Sequence, residues 1–226
     1  MTSNNILSYF LILFMILGVS SCKDDTPTIS ECIKCNEYEV GDTFWLDGVT
    51  YTVADRQMLD KALLDGKDLT KYCTSKVTDM DGMFERTPFN QDIGNWDVSK
   101  LTDMNYMFFG ANAFNQNIGN WDVSSVTGMY AMFNQGHSFN QDIGNWDVSS
   151  VTGMYYMFDG TTSFNQDIGD WDVSNVTNMN NMFNVATKFN QDLSQWCVSF
   201  FQQIPDGFSF ESGLTPANHP VWGTCP

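Results

Sequence analysis

Residues 139–158 read FNQDIGNWDVSSVTGMYYMF, and close copies of this segment begin at Phe89, Phe114, Phe164 and Phe189. Five variable residues separate each copy from the next, so the unit is 25 residues long. Self-similarity at a period between about 20 and 50 residues is typical of stacked supersecondary units, each of which contacts its neighbours. The sequence therefore predicts a repeat protein rather than a domain with one closed core.

A sixth, degenerate unit precedes these five copies. In an alignment backwards from Val77, Leu69 and Tyr72 take the places that Ile93 and Trp96 hold in the next unit. The pattern Ile-x-x-Trp-x-Val predicts a strand whose Trp and Val side chains point inward while the residue between them faces solvent. The six predicted strands are centred near Tyr72, Trp96, Trp121, Trp146, Trp171 and Trp196.

A short helix is expected after each strand. It would carry two methionines three residues apart, which share one face with the phenylalanine that follows them. Threonine is a favourable N-cap residue, and one stands at the right place in four units: Thr102, Thr127, Thr152 and Thr177. The flexible methionine side chains suit a narrow core.

The segments beside the repeats are predicted to cap the two ends, because a stack of units exposes its core wherever it stops. In residues 37–68, Asp47-Gly48 is a preferred two-residue hairpin turn. Asp55 is a predicted N-cap of a helix that extends to about Asp65. The repeats span residues 69–199, and residues 200–226 form the expected C-terminal cap.

The charge of the chain excludes some classes of partner. It carries 27 acidic and 10 basic residues, for a formal net charge of −17. Nucleic acid and anionic membrane surfaces bind through Lys and Arg, so neither is an expected partner. Catalysis is not expected either, because His137 and His219 are isolated in the sequence and no nucleophile has a base at a recognisable spacing.

The N-terminal residues predict export. An apolar run from Ile6 to Val19 is too short for a comfortable membrane span, and small residues precede Cys22. This pattern resembles the lipobox of bacterial lipoproteins, with 1–21 as the signal peptide, Cys22 as the lipidated residue and 22–36 as a tether. An ordinary cleaved secretion signal is the alternative. Lipidation predicts anchoring at the bacterial cell surface, in the outer membrane.

Cysteines stand at both ends of one column of residues. The residue after each tryptophan, or after its counterpart Tyr72, gives this series: Cys73, Asp97, Asp122, Asp147, Asp172 and Cys197. In an oxidising compartment a disulfide is expected before a metal site. We hypothesise that Cys73 pairs with Cys35 and that Cys197 pairs with Cys225, which leaves Cys32 free or exchanged with Cys35.

The four carboxylates of this column are candidate ligand-binding residues: Asp97, Asp122, Asp147 and Asp172. Stacked at a strand spacing of about 4.8 Å, they would repel by just under about 1 kcal/mol per neighbouring pair in water. Calcium between units could offset this repulsion, since oxygen ligands suit a hard cation. Hydrogen bonds from Asn and Ser could serve instead, and no other cofactor is expected.

The repeat FNQDIGNWDVS, with its VTxMxxMF continuation, closely resembles the BspA-like leucine-rich repeat surface proteins over residues 69–199. The predicted fold class is α/β, a short leucine-rich-repeat-like solenoid of 25-residue strand–short helix units with two caps. The resemblance implies a non-catalytic surface module that adheres to an extracellular or host-matrix protein or a glycan. A passive surface spacer and a carbohydrate-active accessory protein are the alternatives.

Variation among the units limits where recognition can lie. The predicted strand face is nearly identical in every unit, whereas differences collect in the loops and between the paired methionines. Uniform units fit a repetitive ligand, and variable loops fit recognition outside the strand face.

Overall fold

The computed structural model of the chain describes residues 32–226. The predicted signal peptide 1–21, the predicted lipidation site Cys22 and residues 22–31 of the predicted tether lie outside the described residues. Within 32–226, the helices lack the length and apolar character that a membrane span needs.

A three-stranded sheet begins the described chain. Strand β1 (Thr43–Leu46) pairs antiparallel with β2 (Val49–Val53), and β2 pairs parallel with β3 (Tyr72–Cys73). Asp47 and Gly48 have φ values of 48° and 85°, as a two-residue turn with two positive φ angles requires. The predicted hairpin is confirmed.

Helix α1 (Arg56–Leu64) follows β2 and covers the first repeat. The Asp55 carboxylate accepts a hydrogen bond from the Met58 N–H at 2.9 Å, so the predicted N-cap is present. Leu59 and Ala62 are buried in the main core. Short 3₁₀ turns lie at Leu69–Lys71 and Pro216–Asn218.

The repeats differ from the expected strand–helix units in their local structure. Between β3 and Pro216 the chain forms turns, bends and isolated bridges, with neither strands at the tryptophans nor short helices after them. The Trp96 N–H donates to the Ile93 C=O, and the Asp97 carboxylate accepts from the Ser99 N–H. These local bonds fold the chain back within a few residues, so it is not extended there.

A positive φ angle explains why no helix follows the threonines. The second residue between the paired methionines has φ between 50° and 59° in four units: Tyr106, Ala131, Tyr156 and Asn181. A right-handed helix cannot pass through such a residue. The chain forms consecutive tight turns instead, over seven residues that begin at the first methionine.

We call these seven-residue stretches the turn segments and their stack the turn ladder. The turn segments are residues 80–86, 104–110, 129–135, 154–160, 179–185 and 205–211. At each of the five interfaces, N–H groups at the third, fifth and seventh positions donate to C=O groups at the second, fourth and sixth positions of the next segment. At one interface the Tyr106 N–H donates to the Tyr130 C=O at 2.8 Å. Donors therefore face the C-terminal end of the ladder and acceptors face the N-terminal end.

The segment 205–211 extends the repeats further than the sequence predicted, since the pattern was expected to stop after the fifth tryptophan. Gly207 and Glu211 have φ values of 64° and 52°, as the third and seventh positions do elsewhere in the ladder. The preceding segment donates three hydrogen bonds to this one. Pro205 and Phe208 replace the two methionines, so this segment does not match the repeat motif.

Side chains of the repeat motif also bond from unit to unit. The indole N–H of each repeat tryptophan donates to a C=O in the preceding unit, at 3.0–3.3 Å. Leu69 accepts the first of these bonds from Trp96, so it occupies the place of Ile93 in the degenerate unit. The Oδ1 of each motif asparagine accepts from a backbone N–H in the next unit, as Asn115 does from Asn140 at 2.9 Å. These bonds explain the Asn and Trp of the motif.

Two interleaved columns of phenylalanine rings run through the core. Rings of one column lie 5.3–6.2 Å from the same ring in the next unit. Each ring of the first column also lies 3.9–4.3 Å from the ring that begins the following unit. The columns are Phe84, Phe108, Phe133, Phe158 and Phe183, and Phe89, Phe114, Phe139, Phe164 and Phe189. All five repeat tryptophans are at most 3% exposed, and the valines after them are buried as predicted.

Disulfides join both ends of the repeats to their flanks. Cys35 pairs with Cys73 and Cys197 pairs with Cys225, as hypothesised from the sequence. Cys32 is also disulfide-bonded, so the expectation that it is free is wrong.

Candidate functional site

The predicted acidic column is occupied by local hydrogen bonds. Asp97, Asp122 and Asp147 each accept from the N–H and hydroxyl of the serine two residues later, and Asp172 accepts from the Ser174 N–H. Their carboxylates therefore stabilise turns within each unit. The sequence predicted that these four aspartates form a column. In the structure each of their carboxylates bonds to a serine of its own repeat unit.

Asp97 differs from the rest of this column because it is buried, with 4% of its surface exposed. The expectation that every residue after a tryptophan faces solvent is therefore wrong at this unit. The Ser75 hydroxyl donates to its Oδ2 at 2.7 Å and in turn accepts from the Cys35 N–H. This chain of hydrogen bonds satisfies a carboxylate that the N-terminal flank covers.

Residues 32–226 contain no cluster of side chains suited to binding a metal ion. No group of three or more His, Cys, Asp or Glu side chains is placed there to hold an ion. Turn hydrogen bonds also engage the second acidic column, as where the Asp142 carboxylate accepts from the Gly144 N–H at 3.0 Å.

The two histidines take separate structural places. The His137 Nδ1 lies 2.8 Å from the Gly160 C=O. The His219 Nε2 lies 3.2 Å from the Ser209 hydroxyl, a contact that sequence reasoning missed. Ser209 stands where the other turn segments carry a buried phenylalanine, so this contact closes the end of the aromatic core. Burial lowers the pKa of His219 below its usual value.

Tyrosines gather on the turn ladder at positions where the repeat is variable. The tyrosine patch consists of Tyr106, Tyr130, Tyr155 and Tyr156, at the second and third positions of three consecutive turn segments. The rings of Tyr106 and Tyr130 meet edge to face at 4.6 Å. Those of Tyr130 and Tyr155 stack at 5.1 Å, and all four residues are half-buried. Four amphipathic rings thus form one continuous surface across three units.

The phenol groups of the patch raise one another's pKa values. A bond with Tyr106 raises the pKa of Tyr130 to about 12, and a bond with Tyr156 raises the pKa of Tyr155 to about 12. Both phenols therefore stay neutral at physiological pH and can donate or accept a hydrogen bond. Aromatic rings with a polar end are enriched at protein interfaces.

The surroundings of the patch leave it accessible on one side. Gly128 and Gly153 lie in the adjoining column of bridged residues, and a Cβ atom at Gly153 would meet nothing within 4 Å. On another side the Phe109 ring packs against Tyr106 at a centroid distance of 6.0 Å. The Arg86 guanidinium lies 4.8 Å from the centroid of the Phe109 ring. The patch therefore combines aromatic, hydroxyl and cationic groups.

A cavity of about 530 Å³ lies away from the turn ladder, between the N-terminal sheet and the first units. Its polar lining includes Lys71, Asp92, Asn95 and Asn117. The buried Oδ1 of Asn95 has no hydrogen-bond partner among the described residues. The cavity could seat a small polar group, but its lining is confined to the hairpin and the first three units.

Comparison with known proteins identifies a family for most of the described chain. The family model described as Mycoplasma protein of unknown function, DUF285, matches residues 56–150 and again residues 116–214. The two matches overlap because the model spans several repeat units. No curated protein and no solved structure matches the chain.

Proposed function

Since the chain belongs to the family described as Mycoplasma protein of unknown function, DUF285, we propose that it is a non-catalytic binding module of the bacterial cell surface. The motif FNQDIGNWDVS supports a closer relation to the BspA-like surface proteins. Repeats that contact each other in register support a short leucine-rich-repeat-like solenoid as the fold. Export to the bacterial cell surface is part of the same proposal.

The observation that carries the binding role is the tyrosine patch. The motif fixes buried methionines on both sides of two variable positions, and tyrosines occupy those positions in neighbouring units. Nothing in the packing of the core requires tyrosine there, because Asn180 and Asn181 fill the same positions in the next unit. Tyrosine is among the residues that contribute most to binding energy at interfaces.

The charge of the chain and the chemistry of the patch define the class of partner. A net charge of −17 disfavours anionic surfaces. Neutral phenol rings offer flat apolar faces beside hydroxyl groups, which suits an extracellular or host-matrix protein or an uncharged glycan. The partner is expected to contact several units at once, since the patch spans three of them.

A binding screen with matched variants tests this proposal. The full-length chain would be applied to arrays of matrix proteins and glycans, beside the triple variant Tyr130→Ala, Tyr155→Ala and Tyr156→Ala. Loss of three interface rings is expected to weaken binding by at least about tenfold. The control is Trp45→Ala, which removes an aromatic side chain that is 71% exposed on the hairpin and should leave binding unchanged.

Three results would contradict the proposal. A chain that binds no array component would favour a passive spacer. Equal binding by the triple variant would place recognition elsewhere on the surface. Turnover of a glycan would overturn the assignment as non-catalytic.

A further inference from the structure

The last turn segment leaves a row of backbone donors unused. In the five preceding segments, the N–H groups at the third, fifth and seventh positions donate to the next segment. The same groups in the last segment belong to Gly207, Ser209 and Glu211, and none of them has a hydrogen-bond partner among the described residues. We call this row of three N–H groups the open edge.

Apolar side chains surround the open edge. Four large hydrophobic residues of the C-terminal flank are 45–63% exposed: Phe200, Ile204, Phe210 and Val221. A shallow cavity of about 350 Å³ is lined by residues 204–210, and a second of about 410 Å³ shares Ile204, Pro205 and Asp206 with it. Unpaired backbone donors beside exposed apolar groups are typical of a site that binds an additional chain segment.

The polarity of the ladder excludes a symmetric dimer through this edge. Two copies related by a twofold axis would bring donors against donors, because every segment presents N–H groups on its C-terminal side. Head-to-tail stacking would pair these donors with the Asp81, Met83 and Glu85 C=O groups of a second copy, but the Arg56 guanidinium already donates to the Asp81 C=O group at 3.0 Å. A net charge of −17 on each copy adds repulsion.

Charge and geometry define a different occupant. Asp206 and Glu211 are exposed beside the open edge, so they favour a cationic partner. The three donors come from alternate residues of a tight turn, so the occupant must present C=O groups at alternate residues to one side without N–H groups between them. The second to sixth positions of a turn segment do this, and a five-residue segment in that conformation supplies three acceptors in the required order.

We propose that the open edge binds a basic peptide segment of another protein in the conformation of a turn segment. Its C=O groups accept hydrogen bonds from Gly207, Ser209 and Glu211, as a seventh segment of the ladder would. Apolar side chains of the peptide pack against Phe210 and Ile204, and its Lys or Arg residues lie near Asp206 and Glu211. This site goes beyond the proposed function, because it is separate from the tyrosine patch and does not depend on it.

The test uses the full-length chain and a fluorescent peptide with blocked termini, Met-Lys-Gly-Met-Phe-Lys-Gly, which follows the turn-segment pattern with Lys at the second and sixth positions and Gly at the two positive-φ positions. Binding is measured by anisotropy, and the site is located by amide chemical shifts in nuclear magnetic resonance spectra. We expect saturable binding, with the largest shifts at the amides of Gly207, Ser209 and Glu211. The control is the same peptide with Glu in place of both Lys residues, and it should bind at least about tenfold more weakly.

Two matched variants separate the edge from the rest of the surface. Phe210→Asn removes an exposed ring beside the edge and is expected to weaken binding about tenfold, whereas Trp45→Asn on the hairpin should leave it unchanged. Ser209→Pro removes the central donor and should weaken binding if the variant folds. Equal binding by Phe210→Asn and Trp45→Asn, or shifts centred on the tyrosine patch, would overturn the proposal. Dimerisation that Phe210→Asn abolishes would also overturn it, since the occupant would then be a second copy.

Discussion

The two ends of the turn ladder are closed in different ways. At the N-terminal end, α1 covers the core and Arg56 binds the C=O groups of Asp79 and Asp81. At the C-terminal end, Trp222 and His219 pack on Phe208 and cover the core, but the outward N–H groups have no partners within residues 32–226. Covering the core and satisfying the backbone are thus separate tasks in a repeat protein. Both ends cover the core, but among residues 32–226 the first turn segment has a donor for the Asp81 C=O group and none for the Met83 and Glu85 C=O groups.

Removing the disulfide at each end is expected to give the largest changes in unfolding free energy, and it compares the two ends directly. Loops of 38 and 28 residues predict a loss of roughly 3.5–4 kcal/mol of unfolding free energy for either bridge. We expect Cys35→Ala with Cys73→Ala to cost more than Cys197→Ala with Cys225→Ala. The reason is that Cys35 and Cys73 are both buried with Ile33 and Val53, whereas Cys225 is exposed.

Chemical denaturation of the two double variants measures this difference. The oxidised wild-type chain, with its disulfides intact, provides the reference. A larger loss from the C-terminal pair would contradict the idea that the N-terminal end is the more completely closed one.

A glycine in the middle of the stack shows how tightly complete units approach each other. A Cβ atom at Gly144 would lie 2.5 Å from the Asp167 C=O oxygen in the next unit. We expect Gly144→Ala to lower the unfolding free energy by about 2–3 kcal/mol. In the last repeat Ser194 occupies this position, because the neighbour there is the C-terminal flank.

Gly153→Ala is the matched control for this substitution. A Cβ atom at Gly153 would meet nothing within 4 Å and its φ is not positive, so the variant should be neutral or slightly stabilised. Thermal unfolding of both variants distinguishes the two outcomes. Equal destabilisation of Gly144→Ala and Gly153→Ala would show that both positions need glycine for the backbone conformation rather than for close packing.

Arg56 tests the closure of the N-terminal end. Arg56→Ala leaves two C=O groups of the first unit without their present donor and is expected to cost about 1–2 kcal/mol of unfolding free energy. Asp60→Asn removes the ion pair of Arg56 at 2.7 Å and retains both bonds to the C=O groups. It should therefore cost less than Arg56→Ala, and the reverse order in urea denaturation would contradict this role.

His219 gives the smallest predicted effect, at the C-terminal end. Its folded-state pKa lies below the ordinary value of 6.5 because burial disfavours the charged imidazole. The unfolded chain then binds a proton more readily than the folded chain, so stability is lost as the pH falls from about 6.5 toward the folded-state pKa. Melting temperature measured down to about pH 5 should decline less in His219→Gln than in the wild type. Parallel curves for the two proteins would contradict this linkage.

The parts of the structure that depend on local residue chemistry were predictable from the sequence. Asp47-Gly48 identified the hairpin, Asp55 identified the start of α1, and the column that ends in Cys73 and Cys197 led to both disulfide pairs. The buried tryptophans followed from their repetition and their apolar character. The solenoid class and the adhesive function remain predictions.

The conformation of the turn ladder could not be read from its residues. Tyr106 and Asn181 adopt positive φ angles that their residue types do not require, because bonds to both neighbouring segments stabilise the turns. The last turn segment was missed because Pro205 and Phe208 replace methionine. Asp206-Gly207 repeats the Asp81-Gly82 of the first segment and was the signal that could have revealed it. The tyrosine patch required knowledge of which variable positions lie side by side.

Residue-resolved amide hydrogen exchange of the free full-length chain tests the central claim most directly. A one-directional ladder with an open C-terminal edge predicts slow exchange at Asn181, Phe183 and Val185, whose N–H groups are bonded. It predicts fast exchange at Gly207, Ser209 and Glu211, which hold the same positions in the last segment. Equal protection of the two sets, or fast exchange at the first set, would contradict the account.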